Sequence, residues 1–339
     1  MINFIWPPGE QMLAGTGGSE TYTAGQVREL LRRGIEAQVV IVGARRPLSL
    51  SRHFKGIPFL YVKNKTDVAK LEGTLIFVNN FFAFPGRRNK NQQIAVIVHN
   101  VIPNKQQLKA YDIRAMQDKI IIATSFYNAQ QWALFLKIPV SHMRVVAPFA
   151  DPIYDNIHRP KPTKHPRLIF AGRLHPEKGI YTLLETLHRR NYEHGANDWR
   201  VSIVAAGLNV ESGKTLKNML KAYPYAQIIP AQTNVKDMAR LLARHDVLLM
   251  PSVFREPFGM LSVEAQHAGC RVVASNIGGI PQTNCGLLTL VKPRHPPDLV
   301  EGIEEAIALG TVSKKERATA CRFFTLEDSV DTLLRVIEP

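Results

Sequence analysis

The chain has 339 residues, 45% of them hydrophobic and only 21% charged. That balance is globular, too long for one ordinary core, and fits two domains of about 150 residues each. No apolar run approaches the roughly 20 residues of a membrane span, and the opening MINFIWPPGE meets two prolines too early for a secretory leader, so it reads as a first strand.

The three cysteines, Cys270, Cys285 and Cys321, are odd in number and lack metal-ligand spacing. This argues against a disulfide framework and fits a reducing cytoplasm. Net charge is +15 and uneven: residues 1–150 hold 19 Lys and Arg against 8 Asp and Glu, a net of +11, whereas residues 151–339 hold 24 against 20, a net of +4. Clusters at Arg45-Arg46, Arg52 to Lys55, Lys63 to Lys65 and Arg87-Arg88-Lys90 read either as a solubilising surface or as docking points for phosphate on lipid, lipopolysaccharide or nucleic acid. No recognition-helix, zinc-finger or RNP-like pattern accompanies them, which disfavours nucleic acid as the partner.

In chain order, residues 2–6 read as a strand and 7–16 as a loop rich in Pro and Gly. Gly17-Gly18-Ser19-Glu20 then opens a helix over 21–33, which Gly34 ends before a strand over 36–42, a βαβ unit. Backbone amides at Gly17 and Gly18 can meet an anion, although a plain tight turn uses the same residues. Strands at 59–62, 74–78, 93–99, 119–123 and 143–146 follow, interleaved with helical stretches near 104–116 and 125–135. Such continuous apolar strands form parallel sheets covered on both faces, and these collect ligands at the carboxyl ends of their strands. His99-Asn100 and Asn79-Asn80 stand at two such ends, where His99 is either a structural hydrogen-bonder or a functional group.

Residues 151–166, DPIYDNIHRPKPTKHP, are proline-rich, charged and aperiodic, and read as a linker. A second alternation follows, with strands at 167–171, 201–205, 227–230, 247–250, 271–275 and 287–291 and helices near 180–190, 214–222, 235–244, 260–268 and 297–309. Two α/β halves imply a cleft between them, where ligand sites prefer to form.

Two stretches of the second half carry chemistry. Phe170 to Gly179, FAGRLHPEKG, is a strand running into a turn where Arg173 and Lys178 place two cations, suited to a diphosphate or merely exposed. Pro251 to Pro281 places Glu256 on a loop before a helix start at 257–260 and Glu264 one turn inside that helix. The amides of Phe258, Gly259 and Met260 can receive a phosphate there, and Gly259 admits close approach. Glu256 and Glu264 would accept hydrogen bonds from sugar hydroxyls, so the ligand expected is a nucleotide sugar. The plainer alternative is a solvated Glu256 and a Glu264 paired with a surface lysine.

The order G-R-L-x3-K-G, then E-P-F-G-x4-E, with VVASNIGGIP behind it, resembles the retaining glycosyltransferases of family GT4. The resemblance implies an α/β GT-B architecture, two Rossmann-like doubly wound parallel-sheet domains facing across a cleft. They would comprise an acceptor domain at 1–150, a linker at 151–166, a nucleotide-sugar domain at 167–322, and a helix at 323–339 packing back toward the first domain. It further implies that Arg173 and Lys178 neutralise the donor diphosphate, that Glu264 holds the ribose hydroxyls, and that Glu256 holds the transferred sugar beside the Phe258, Gly259 and Met260 amides. Gly17 and Gly18 match the family's glycine loop, His99 its histidine near the sugar ring, and Ala231 and Gln232 would carry the base. Three departures touch the acceptor side and the base contacts: Pro148-Phe-Ala-Asp151, Ala206-Gly-Leu-Asn209, and Gln282 in place of a glutamate.

The expected reaction moves a hexose-type sugar, with retention, from a nucleotide diphosphate sugar, by preference UDP-linked, to an acceptor hydroxyl. No Asp-x-Asp motif occurs, so protein cations rather than a metal are expected at the phosphates, and no cofactor is called for. The acceptor would be sugar-containing or lipid-linked, an anionic glycolipid or lipopolysaccharide, or else a small natural product. The expected location is the cytoplasm, either free or peripheral at the inner face of the membrane. Competing readings are a sugar-nucleotide epimerase or phosphorylase on the same fold, a basic nucleic-acid-binding protein, and a catalytically idle relative.

Overall fold

A computed structural model describes residues 1–6, 17–43, 54–82, 92–102, 111–173, 175–194, 199–206, 214–215, 218–221, 223, 226–232 and 234–338. Outside them lie the 7–16 loop, Arg45, Arg46, Arg52, Arg87, Arg88 and Lys90 of the basic clusters, residues 207–209 of the Ala206 loop, and parts of the helices expected at 104–116 and 214–222. The chain divides into two compact units, one formed by Met1–Phe149 together with Phe324–Pro339 and the other by Ala150–Phe323.

The first unit is built on a seven-stranded sheet in the order β3-β2-β1-β4-β5-β6-β7. Its strands are β1 (Ile2–Trp6), β2 (Ala37–Val42), β3 (Phe59–Val62), β4 (Thr74–Val78), β5 (Ile94–Val98), β6 (Ile120–Ala123) and β7 (Met143–Val145), all paired in parallel. Runs such as Ile-Ala-Val-Ile-Val in β5 are buried at every position because the sheet is covered on both faces. The two resulting cores are distinct: Phe4, Trp6, Tyr22, Leu30 and Ile97 pack on one face, and Ile5, Phe77, Val96 and Trp132 on the other. The first helix runs Gly18–Arg32, so it begins three residues earlier than the sequence pattern indicates, with Gly17 as its extended N-cap and Glu20 in its positive first turn. The terminal helix Leu326–Ile337 belongs to this unit: Gln26 Nε2 donates to Ser329 Oγ at 3.2 Å, and Ser329 Oγ donates to the Ala147 carbonyl at 2.7 Å.

The second unit carries a six-stranded parallel sheet ordered β10-β9-β8-β11-β12-β13. Its strands are β8 (Arg167–Arg173), β9 (Arg200–Ala206), β10 (Ala226–Pro230), β11 (Val247–Met250), β12 (Arg271–Ser275) and β13 (Leu288–Val291). β8 continues two residues beyond the apolar run, to Arg173, because its neighbour β9 extends the ladder as far as the Arg173 to Ala206 pairing. Helices Ile180–His194 and Pro296–Ala308 cover one face, with Leu183, Leu187, Leu299 and Ile303 fully buried against β8 and β11 residues. A helix at Lys314–Ala320, absent from the sequence reading, is announced by its Ser313/Glu316 capping box. Residues 151–157, inside the stretch that reads as a linker, pack as a turn within this unit.

In both sheets the order reverses beside the first strand, between β1 and β4 and between β8 and β11. In open α/β sheets that reversal leaves a crevice at the carboxyl ends, because the flanking crossovers turn away from each other.

Candidate active site

The second unit's crevice is assembled from three loops that fit only because glycine lines their contacts. After β8, the chain makes a single 3-10 turn, Pro176–Lys178, and closes it at Gly179 with φ of +79°. The Glu177 carbonyl then accepts from the Val253 and Phe254 amides at 2.9 and 3.2 Å, tying this turn to the loop after β11. On the far side, the Gly279 amide donates to the Glu256 carbonyl at 2.7 Å, and a Cβ at Gly278 would lie 2.7 Å from the Glu256 nitrogen. The Gly-Gly pair of VVASNIGGIP is therefore the back wall of the Glu256 loop.

Held in this way, Lys178 Nζ stands 3.0 Å from Glu256 Oε1, and the Ser252 hydroxyl donates to the same oxygen. Glu256 is buried, so it is no solvated loop residue. Helix Met260–His267 begins four residues on, with Gly259 at its N-cap and φ of +116°, a conformation that L side chains rarely adopt. No acidic residue occupies its first turn, which leaves the positive helix end uncompensated by side chains of its own. Arg173 is exposed at the tip of β8, at the opposite end of the turn from Lys178, with no salt bridge among the described residues. Ala231 and Gln232 follow the edge strand β10, two strand spacings or about 10 Å from β8, and Gln232 bonds back to the Pro230 carbonyl at 2.8 Å.

Glu264 lies in the helix one turn beyond its start, facing Tyr154 and Asp151. The plainer alternative of a surface lysine is not met: no salt bridge to Glu264 occurs among the described residues, and the groups facing its carboxyl are the buried Tyr154 and Asp151. Burial above all, then the negative charge of Asp151, pushes the Glu264 carboxyl up to about 7, against the opposing pull of the nearby Tyr154 hydroxyl. Deeper along the same helix, His267 Nδ1 meets Asp155 Oδ1 at 2.6 Å and Nε2 meets the Phe323 carbonyl at 2.8 Å. Cys321 Sγ, lying within 4.8 Å of that pair, is raised to about 12 by burial and by Asp155. The three atoms could ligate an ion, but both imidazole nitrogens are committed to hydrogen bonds, which makes the trio a structural knot.

In the first unit, Gly17 and Gly18 form the N-cap and first residue of helix Gly18–Arg32, and a Cβ at Gly17 would lie 2.1 Å from Glu20 Oε2. His99 sits at the carboxyl end of β5, where its amide donates to Asn79 Oδ1 at 3.0 Å and its ring meets Tyr22 edge-on at 4.6 Å. Burial holds its imidazole down to about 3, hence neutral. Its Nε2 is buried with no hydrogen-bond partner among the described residues, as are Trp6 Nε1, Thr23 Oγ1 and Asn80 Oδ1. Buried polar atoms rarely go unpaired. These four belong to the ends of β1, β4 and β5 and to the adjoining helix, and their mix of donors and acceptors suits a neutral, hydroxyl-rich ligand better than an anion. Sequence reasoning did not single out Trp6 or Thr23; the available signal was their place beside the strand-order reversal.

A family model described as glycosyl transferases group 1 matches residues 155–320, the stretch that contains Arg173, Lys178, Glu256 and Glu264. Residues 155–320 belong to that family. Similar sequences include a D-inositol 3-phosphate glycosyltransferase of Geodermatophilus obscurus, 29% identical over 49% of this chain and 39% of that protein. The human alpha-1,3/1,6-mannosyltransferase ALG2 is 27% identical over 50% of this chain and 44% of its own. The chain thus matches less than half the length of these curated relatives.

Solved structures extend the likeness to the whole fold. A glycosyltransferase from Rickettsia africae superposes with a TM-score of 0.77 at 18% identity, covering 99% of this chain and 97% of that one. Anabaena HepE, solved in complex with UDP and glucose, gives 0.73 at 16% identity with 98% of each chain covered. With its two Rossmann-like parallel sheets, the chain has the GT-B fold.

Proposed function

We propose that the protein is a retaining glycosyltransferase that moves a hexose-type sugar from a nucleotide diphosphate sugar, by preference UDP-linked, to an acceptor hydroxyl without a metal. The observation that carries this reading is the Lys178 to Glu256 pair at the β8/β11 reversal, set beside the open start of helix Met260–His267 with Glu264 one turn inside. An ammonium has three donors, so Lys178 can hold Glu256 and still meet a phosphate oxygen. Glu256, fixed from both sides, offers its remaining lone pairs to hydroxyls of the transferred sugar. Glu264 takes the ribose hydroxyls, Ala231 and Gln232 flank the base, and Arg173 reaches the diphosphate from the rim.

In the reaction the bond from the anomeric carbon to the diphosphate oxygen breaks and a bond from that carbon to the acceptor oxygen forms on the same face. The acceptor proton passes to the departing phosphate. Negative charge grows on the leaving oxygen, and the aligned cations and helix amides stabilise it without having to reorganise. For the first unit, Gly17 and Gly18 are assigned to phosphate and acceptor, and the neutral His99, with Trp6, Thr23 and Asn80, to sugar hydroxyls. The acceptor class is a sugar-containing or lipid-linked compound, and the exposed Lys55, Lys63 and Lys65 favour an anionic one presented at a cytoplasmic membrane face. Among the described residues no helix is long and apolar enough to cross a membrane.

A thermal-shift screen over UDP-, GDP- and ADP-sugars tests the donor, because a ligand of the folded state raises its melting temperature by mass action. Stabilisation by one nucleotide class, lost in Lys178→Met, supports the reading. No stabilisation by any nucleotide sugar would overturn it. Sedimentation with and without anionic liposomes tests the acceptor side, and indifference to lipid charge removes the membrane part.

A further inference from the structure

Glu256 is held at both ends of its backbone and at one oxygen of its side chain. Its amide donates to the Phe254 carbonyl at 3.0 Å, and its carbonyl accepts from the Gly279 amide at 2.7 Å. At the carboxylate, Lys178 Nζ at 3.0 Å and the Ser252 hydroxyl both meet Oε1. No contact among the described residues engages Oε2. Ser252 stands just beyond the end of β11, four residues before Glu256, and is only 1% exposed. The loop it opens is itself tied down, because the Val253 and Phe254 amides donate to the Glu177 carbonyl. The two donors on Oε1 differ in what else they can do. An ammonium carries three protons on a flexible stem and can share them with a phosphate oxygen. A serine hydroxyl has one proton, and a carboxylate, which only accepts, takes it. The buried Ser252 thus gives Glu256 a tie that does not depend on Lys178.

We propose that Ser252 is a positioning residue for recognition of the transferred sugar: with Lys178 it occupies Oε1 of Glu256, so that Oε2 is presented to a sugar hydroxyl, and it keeps that presentation when Lys178 turns to the diphosphate. This rests on the assignment of Glu256 to the transferred sugar. An oxygen with only lone pairs to offer needs a donor, so the group selected at Oε2 is a hydroxyl. A hydrogen, a fluorine or a carboxylate at the same sugar carbon leaves Oε2 unmatched, and the site discriminates against such donors. Ser252 touches the acid that meets the sugar and makes no described contact with Glu264, Ala231 or Gln232. Its loss therefore falls on the sugar and spares the nucleotide.

The test is calorimetric titration of the full chain with UDP and UDP-glucose, and likewise with the GDP and ADP pairs, for wild type, Ser252→Ala, Ser252→Cys, Lys178→Met and Glu256→Gln. The quantity read is the ratio of nucleotide-sugar to nucleotide affinity. Ser252→Ala is expected to lower that ratio about tenfold while affinity for the bare nucleotide stays within about twofold of wild type. Ser252→Cys keeps the size of the side chain but donates weakly, so its ratio falls as well. Lys178→Met loses affinity for both ligands. Among glucose donors lacking one hydroxyl, the analogue without the group at Oε2 binds wild type more weakly and loses nothing further in Ser252→Ala, a coupling that a packing fault would not produce. An unchanged ratio in Ser252→Ala, equal losses of both ligands, or a wild-type ratio in Ser252→Cys overturns the positioning role; a lowered ratio in Glu256→Gln then leaves the sugar assignment standing. An unchanged ratio in Glu256→Gln removes that assignment, and no binding by any pair removes the nucleotide-sugar reading. Should Ser252→Ala fail to fold, Ser252→Cys decides.

Discussion

A Cβ at position 179 would fall 1.8 Å from the carbonyl oxygen of Pro251, closer than any non-bonded contact allows. The glycine that ends the Lys178 turn is thus what lets that turn lie against the end of β11, and its φ of +79° adds a second demand on the same residue. Gly179→Ala is expected to push the two loops apart. Strain of about 1–3 kcal/mol should appear in thermal unfolding, together with loss of nucleotide-dependent stabilisation. A variant with wild-type melting and wild-type donor response would show that the loops do not need this contact.

The two cations should separate by their cost to folding. Arg173 is exposed, so Arg173→Ala is expected to leave stability within about 0.5 kcal/mol of wild type. If it meets the diphosphate, kcat/KM should still fall by about a hundredfold to a thousandfold. Lys178→Met should lose activity on the same scale and also destabilise by about 1–3 kcal/mol, because it leaves the buried Glu256 carboxylate without its charged partner. Steady-state kinetics beside chemical denaturation distinguishes the two patterns.

Glu264 sets a pH dependence on the unliganded fold. Its carboxyl titrates at about 7 when folded against an ordinary value of 4.5, so the folded state holds the proton more tightly than the unfolded one. The resulting stabilisation is full below 4.5 and is lost as pH rises through 7. Glu264→Gln, which mimics the neutral form, should therefore be more stable than wild type above that range, by about 1–3 kcal/mol, and equal to it in acid. Equal melting curves at all pH values would mean the charge is accommodated without cost.

Arg317 holds four carbonyls, from Tyr154, Asp155, Ile157 and His267. Arg317→Met keeps much of the stem and removes every donor, and is expected to cost about 2–4 kcal/mol as those acceptors lose their partner. Hydrogen exchange should show early loss of protection across 151–157. Unchanged exchange there would mean the turn is held by packing alone.

Much of this protein was legible without coordinates, because the signals are local. Alternating apolar strands and amphipathic helices fix a parallel α/β fold, and G-R-L-x3-K-G followed by E-P-F-G-x4-E marks the loops that carry Arg173, Lys178, Glu256 and Glu264. What only tertiary structure decided is which side chains meet. Lys178 and Glu256 come together because β8 and β11 are neighbours at the strand-order reversal, an adjacency no local pattern encodes. Tyr154 joins Glu264 from more than a hundred residues away, out of a stretch whose prolines and charges read as linker. The atoms of Trp6, Thr23, Asn80 and His99 that have no partner among the described residues likewise depend on burial, which arises only when sheet and helix close over them. Periodicity and glycine spacing dictate what each segment becomes; the polar partners of a buried group are set by long-range packing, which brings distant segments into a common environment.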